Sequence, residues 1–244
     1  MRHAKARAAG RTCILAAALA VALAPAVLRA QDVTLKSTST TNGREIQTTQ
    51  YISPTATRNS TPDGTDIILR LDQQKMYVVQ TKQKTYSELT FDEIQKRAAA
   101  ATTGTEGLPP EAAAQMQKMM GGMGGGMTVN DVGPGETIAG YATEKYHIVM
   151  GSAEMDEWMA PAIVLSPMFY DAMMAILPSN PMFDTKKLYG ELKKLKGVPM
   201  KSVTTMKMMG QVITTTTVVS SVDKSPIPAA AFEVPAGFKL VPMK

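Results

Sequence analysis

The stretch Asp32–Ser53, DVTLKSTSTTNGREIQTTQYIS, decides the fold class of this chain. Val33 and Leu35 alternate with polar residues, at the period of two that lets a strand turn one face to a core. Asn42-Gly43 comes next and is the strongest short hairpin signal, because both positions of such a turn take positive φ. The chain then returns, with Ile46 and Thr48 on one face and Gln47 and Thr49 on the other. Asp63-Gly64 marks a second tight turn. Beyond it, Thr65–Asp72 sets Ile67, Leu69 and Leu71 opposite Asp66 and Arg70. Lys75–Thr81 and Lys84–Thr90 read as two more strands, rich in Val, Tyr and Thr. One dry face and one wet face is the signature of an antiparallel sheet.

Downstream of this meander the periodicity changes. Thr90-Phe91-Asp92-Glu93 is a capping box, in which Thr90 accepts from the amide three residues on and Glu93 reaches back. A helix is predicted through Ile94 to about Ala101. Pro109-Pro110 opens a short helical stretch over Glu111–Met120. Residues 116–127 then read MQKMMGGMGGGM, a low-complexity run whose glycines predict a flexible insertion over about 104–127. Structure resumes at Thr128, with Gly133-Pro134-Gly135 as a turn. Tyr141–Met150 and Glu154–Ile163 read as paired strands across Gly151-Ser152. Ser166-Pro167 and Asn180-Pro181 each supply an N-cap and a first-turn proline for helices at about 168–177 and 182–196. Gly197 suits the end of the second helix. Val198–Met209 and Gln211–Val222 form a long hairpin. The proline-bearing tail, Ile227–Met243, is an irregular segment with one short strand.

This order, strands then helix, strands, two helices and strands, does not alternate as a doubly wound sheet would. It predicts an α+β chain that is mainly β, a large curved antiparallel sheet covered by a few helices. Five stretches carry a resemblance over most of the chain. They are TNGREIQTTQYIS with TDIILRLDQQKMYVVQTKQKTYSEL, IAGYATEKYHIVM at Ile138–Met150, EWMAP at Glu157–Pro161, GVPMKS from Gly197, and IPAAAFEVPAGFKL from Ile227. Together they resemble a bacterial exported family of unknown function that is distantly similar to the LolA and LolB lipoprotein carriers. The resemblance implies an incomplete, LolA-like β-barrel capped by helices around an apolar hollow. It supplies no catalytic residue.

The 244 residues hold 26 Lys and Arg against 21 Asp and Glu, a formal charge of +5. Five of the basic residues, Arg2, Lys5, Arg7, Arg11 and Arg29, precede the first acid, Asp32. Residues 1–30 have the layout of a secretory signal: a basic start, an apolar run from Cys13 to Leu28, and Ala30 before the cut. An uncleaved anchor is the alternative, against which the short run and Pro25 both count. The remainder, 31–244, is then one formally neutral domain without cysteine, destined for the periplasm or secretion. The net charge is therefore no sign of a polyanionic partner, and no nucleic-acid partner is expected.

Candidate chemistry is sparse. Only His147 is left beyond the signal, in a strand pattern, and no nucleophile elbow, His-Glu-x-x-His or phosphate loop occurs. Asp156 and Glu157 are adjacent, so a strand sends them to opposite faces. No enzyme activity and no cofactor are expected. The chain has 19 methionines. They suit an adaptable apolar pocket, with Trp158, Phe169 and Met173 as liners of a cavity for lipid or another apolar ligand. The alternative is Cu(I), for which thioethers are soft ligands, held by Met116, Met119, Met120, Met123 and Met127. The lysines at 186, 187, 193, 194 and 196, with Leu188, Leu192 and Leu195, form a basic amphipathic helix. It serves either as a solvated face supported by Glu191 or as a weak membrane-surface contact.

Overall fold

The computed structural model describes residues 31–103, 126–151, 153–176, 185–208 and 211–243. The export signal read from residues 1–30 lies outside the described residues. So does most of the Met/Gly insertion, with Met116, Met119, Met120 and Met123.

Strands β1 (Val33–Thr41), β2 (Arg44–Ile52), β3 (Ala56–Ser60), β4 (Thr65–Arg70), β5 (Lys75–Gln80) and β6 (Thr85–Thr90) form a first antiparallel meander. Helix α1 (Phe91–Thr103) follows directly. A second meander runs through β7 (Met127–Pro134), β8 (Glu144–Met150), β9 (Ala153–Ala160), β10 (Val198–Met208) and β11 (Gln211–Asp223). Helices α2 (Pro167–Ile176) and α3 (Thr185–Leu192) lie between β9 and β10. The two meanders are joined where β11 pairs antiparallel with β1. A short β12 (Lys239–Leu240) adds in parallel beyond β6, after a 3₁₀ turn at Ala229–Phe232. The described strands thus make one sheet of twelve, in the order β12-β6-β5-β4-β3-β2-β1-β11-β10-β9-β8-β7.

The local signals explain much of this. Asn42 and Gly43 take φ of 50° and 77°, and Thr41 sits opposite Arg44, as a two-residue hairpin requires. The capping box closes reciprocally: Thr90 N–H donates to Glu93 Oε2 at 2.8 Å, and Glu93 N–H donates to Thr90 Oγ1 at 3.2 Å. Pro167 is the first residue of α2, where its missing N–H has no helical partner to lose. The hydroxyl of Ser166, however, does not cap α2. It donates instead to the carbonyl of Pro54 at 2.7 Å and ties the helix to the β2–β3 connection.

Two expectations are corrected, and one strand has no signal of its own in the sequence. Strand β3, ATRNS, shows no apolar alternation because its buried residues are Ala56 and Thr57; Arg58 pairs with Asp66 of β4 at 2.7 Å. Gly133-Pro134 is not a turn but the end of β7, after a bulge that leaves Val132 exposed. β7 is the outer strand, where a proline removes no ladder bond. The α3 helix is shorter than its pattern, ending at Leu192, and Gly197 does not cap it. Gly197, at φ +88°, lets the chain pass the end of β9, and a Cβ there would lie 1.9 Å from the Ala160 carbonyl oxygen.

The helices cover one face of the sheet. Leu71 and Phe91 pack with Ala172 of α2, joined by Ile94 of α1 and Phe169. Leu188 and Leu192 of α3, with Leu195, pack on Met127, Val129, Tyr146, Ile148 and Met159. The opposite face carries a separate cluster, Ala56, Ile68, Val79 and Phe232, closed by the tail residues Val234 and Phe238. Helix α3 also occupies the outer edge of the sheet. Glu191 Oε2 accepts from Val129 N–H at 2.7 Å, and the Lys194 ammonium donates to the Val129 carbonyl at 3.3 Å.

Replacing Gly197 by Ala is expected to cost about 4 kcal/mol or to abolish folding, since both φ and the Ala160 carbonyl forbid it. Gly43→Ala, at positive φ but with nothing within 4 Å, should cost only about 1 kcal/mol. Urea denaturation of the two variants measures the contrast.

Candidate functional site

In antiparallel pairing, residues opposite one another share a face. The register therefore defines a row across six strands: Ile46, Ser39, Thr217, Ser202, Glu157 and Tyr146. Val33 and Leu35 of β1, at the same parity as Ser39, are buried on this face. Hydroxyls pair across it: Ser37 with Thr48, Ser39 with Thr217, and Thr41 with Thr215, each at 2.7 Å.

A cavity of about 200 Å³ lies between this face and helices α2 and α3. Gln50 and Ile52 of β2 line one side, and Glu157 and Met159 of β9 the other. Phe169, Tyr170 and Met173 come from α2, and Leu192 from α3. In a flat sheet the four steps from β2 to β9 would span about 19 Å. That both strands line one small cavity means the sheet curls. Bulges opposite Lys36/Ser37 and at Pro199/Lys201 lie in the strands between, and bulges bend the strands that carry them.

Among the described residues Glu157 is the one acidic residue in the lining. Ser202 Oγ donates to its Oε1 at 3.0 Å. Its Oε2 is buried and finds no hydrogen-bond partner among the described residues. Burial pushes the carboxyl up to about 7, against a smaller lowering by the Ser202 hydrogen bond. Sequence reading placed Glu157 opposite in face to Asp156, but not in the cavity. Its position became visible only once the helices showed which face they cover.

Phe169 and Met173 lie in the cavity lining. Trp158 does not. Alternation along β9 turns it to the other face, where its ring lies close beside Gly135 and leaves no room for a Cβ there. Lys145 and Lys201 hold their ammonium groups 4.7 and 4.5 Å from the ring centroid. On that same face His147 Nδ1 is 2.8 Å from Asp156 Oδ1, and Lys145 is 2.8 Å from Oδ2. Burial opposes ionisation of Asp156, yet these partners hold its carboxyl below the ordinary range. His147 and Glu157 are thus separated by the thickness of the sheet and form no joint site.

Of the five methionines considered for Cu(I), only Met127 is described, and it is a buried core residue beside Val129 and Tyr146. Its thioether belongs to the packing under α3, which removes it from a solvent-accessible ligand set. Among the described residues no three His, Cys, Asp or Glu side chains gather as a metal site would. On α3, Glu191 pairs with Lys194 at 2.7 Å, and Lys193 lies 4.1 Å from the Tyr189 ring centroid. The leucines face the sheet. No described helix is long and apolar enough to cross a membrane.

The buried carboxyl has a measurable consequence. Between the ordinary value of 4.5 and about 7 the folded chain keeps a proton that the unfolded chain loses. Stability should therefore fall over that window as pH rises, by about 3 kcal/mol from this one group. Urea denaturation from pH 4.5 to 7.5 is expected to show that decline relative to Glu157→Gln. Parallel pH profiles for the two proteins would refute it.

Several known proteins can be set beside this architecture. The solved structure of PNGF-II matches over 88% of this chain and 31% of its own, at 10% identity and a TM-score of 0.43. The crystal structure of MucB matches over 86% of this chain and 60% of its own, at 10% identity and a TM-score of 0.41. A DUF1329 family protein from Desulfovibrio piger matches over 84% and 90%, at 10% identity and a TM-score of 0.31. The chain thus spans about a third of the first and three-fifths of the second. No curated protein matches the sequence significantly. Residues 111–238, just over half of the chain, match a family model and take in helices α2 and α3, the β9 side of the cavity and Glu157. The chain therefore belongs to the family described as Domain of unknown function (DUF4412).

Proposed function

We propose that this is a bacterial envelope protein that binds a lipid or another apolar ligand, without catalysis, in the cavity between the curled sheet and helices α2 and α3. The observation that carries the reading is the lining. Ile52, Met159, Leu165, Phe169, Met173 and Leu192 turn apolar side chains to one space. A concave, apolar site with few polar groups is what a ligand pocket requires. Methionine side chains adapt to the shape of an apolar guest.

The size of the cavity narrows the guest. About 200 Å³ lies below the common range of about 300–1,000 Å³ for pockets that enclose a drug-sized ligand. It suits one narrow chain better than the several acyl chains of a lipoprotein anchor. The envelope location is supported by the export signal read in residues 1–30. The non-catalytic reading is supported by the separation of His147 from Glu157 on opposite faces of the sheet.

The test is recovery of a ligand from protein purified without detergent from an envelope fraction, followed by lipid extraction and mass spectrometry. Bound lipid or another apolar molecule is expected in stoichiometric amount. Recovery of none, together with no uptake of a fluorescent single-chain probe by the purified protein, would overturn the proposal. Met173→Trp should fill the cavity and weaken probe uptake at least tenfold, while the urea midpoint reports whether the fold survives.

A further inference from the structure

We propose that Glu157 makes this cavity selective for single-chain amphiphiles whose polar end is a cationic amine, with the ammonium group paired to the free oxygen of the Glu157 carboxylate. This rests on the apolar-ligand reading and names the class of ligand. Its basis is the distribution of charge around β9. Ser202 supplies one hydrogen bond to Oε1, and Oε2 is left buried without a donor. The next hydroxyls in the row are already engaged, Ser39 with Thr217 at 2.7 Å. Tyr146, opposite Glu157 on β8, donates to Glu144 at 2.7 Å. Among the described residues Tyr170 of α2 is the other titratable group in the lining, and its hydroxyl points to the Leu195 carbonyl at 3.5 Å. Among the described residues no Lys or Arg lines the cavity. The lysines of the neighbouring strands, Lys145 and Lys201, lie on the reverse face over Trp158.

A buried carboxyl with one unmet oxygen, among apolar walls, is stable in one of two ways. It keeps its proton, or it receives a cation that also donates hydrogen bonds. An alkylammonium ion meets the second condition, with its chain on Phe169, Met173 and Leu192. An alcohol can donate one hydrogen bond but brings no charge. A fatty-acid carboxylate would set like charges together. Binding of the amine to the neutral carboxyl must expel the carboxyl proton to solvent. Since that carboxyl is raised to about 7, amine affinity should be about tenfold lower at pH 6 than at pH 8.

The experiment is calorimetric titration of the protein with decylammonium, decanol and decanoate at pH 6 and pH 8. Two buffers of different ionisation enthalpy count the protons released. At pH 8 decylammonium should bind at least tenfold more tightly than decanol, and decanoate more weakly than either. At pH 6 the amine should release close to one proton and lose its advantage. Glu157→Gln should bring amine and alcohol to similar affinities. Glu154→Gln, at an exposed position on the opposite face of the same strand, should leave the preference intact. Equal binding of amine and alcohol at pH 8, or amine binding without proton release at pH 6, would overturn the assignment while leaving the apolar-ligand reading in place. Failure of all three probes to bind would overturn both. The proton count on the unaltered protein keeps the test sound if Glu157→Gln does not fold.

Discussion

The antiparallel pairing of β1 with β11 is the constraint on which the molecule depends. It joins residues almost a whole chain apart, from Thr34 opposite Asp223 to Thr41 opposite Thr215. Without it there are two meanders, each with an unpaired first or last strand. With it there is one sheet whose middle carries Val33, Leu35 and Val219 in the main core. Contacts of such separation are costly in chain entropy before they return any stability. The seam compensates with a long ladder interrupted by one bulge, buried apolar residues at one end, and hydroxyl pairs at the other. The curl that creates the cavity includes this seam, which lies between β2 and β9 in the strand order.

The seam also divides the chemistry of the protein between two faces. On the reverse side, Lys145, His147 and Asp156 satisfy one another beside Trp158, in contact with solvent. On the helix side, the neighbouring carboxylate has apolar residues and one serine. One peptide bond separates Asp156 from Glu157, yet one carboxyl is held down and the other pushed up. Alternation along a strand is enough to produce that contrast once one face is covered.

The parts of the fold set by nearby residues were legible in the sequence. Asn42-Gly43, the Thr90–Glu93 capping box and the first-turn Pro167 depend on chemistry within a few residues, and each appears where its signal stands. What depends on distant partners was not. Strand β3 is a strand because β2 and β4 flank it, not because ATRNS favours one. Gly197 mattered for its approach to Ala160, invisible until β9 and the chain leading into β10 were placed. In the same way, alternation sets the parity of Trp158 on β9, but not which face the helices cover, so its place outside the lining shows only in the folded chain. Glu157 was missed for the converse reason.

The way α3 meets the sheet has a consequence for self-association. A terminal strand ordinarily offers a row of free amides and carbonyls to any other extended chain, and this is how edge-to-edge polymers begin. At Val129 both backbone groups already have partners in Glu191 and Lys194. The bulge at Val132 and Pro134 spoil the rest of the ladder. A sheet of this width would otherwise be a template for fibril growth. Here the helix that roofs the cavity also acts as the sheet's gatekeeper against aggregation, so loosening α3 would expose an apolar hollow and a sticky edge at once.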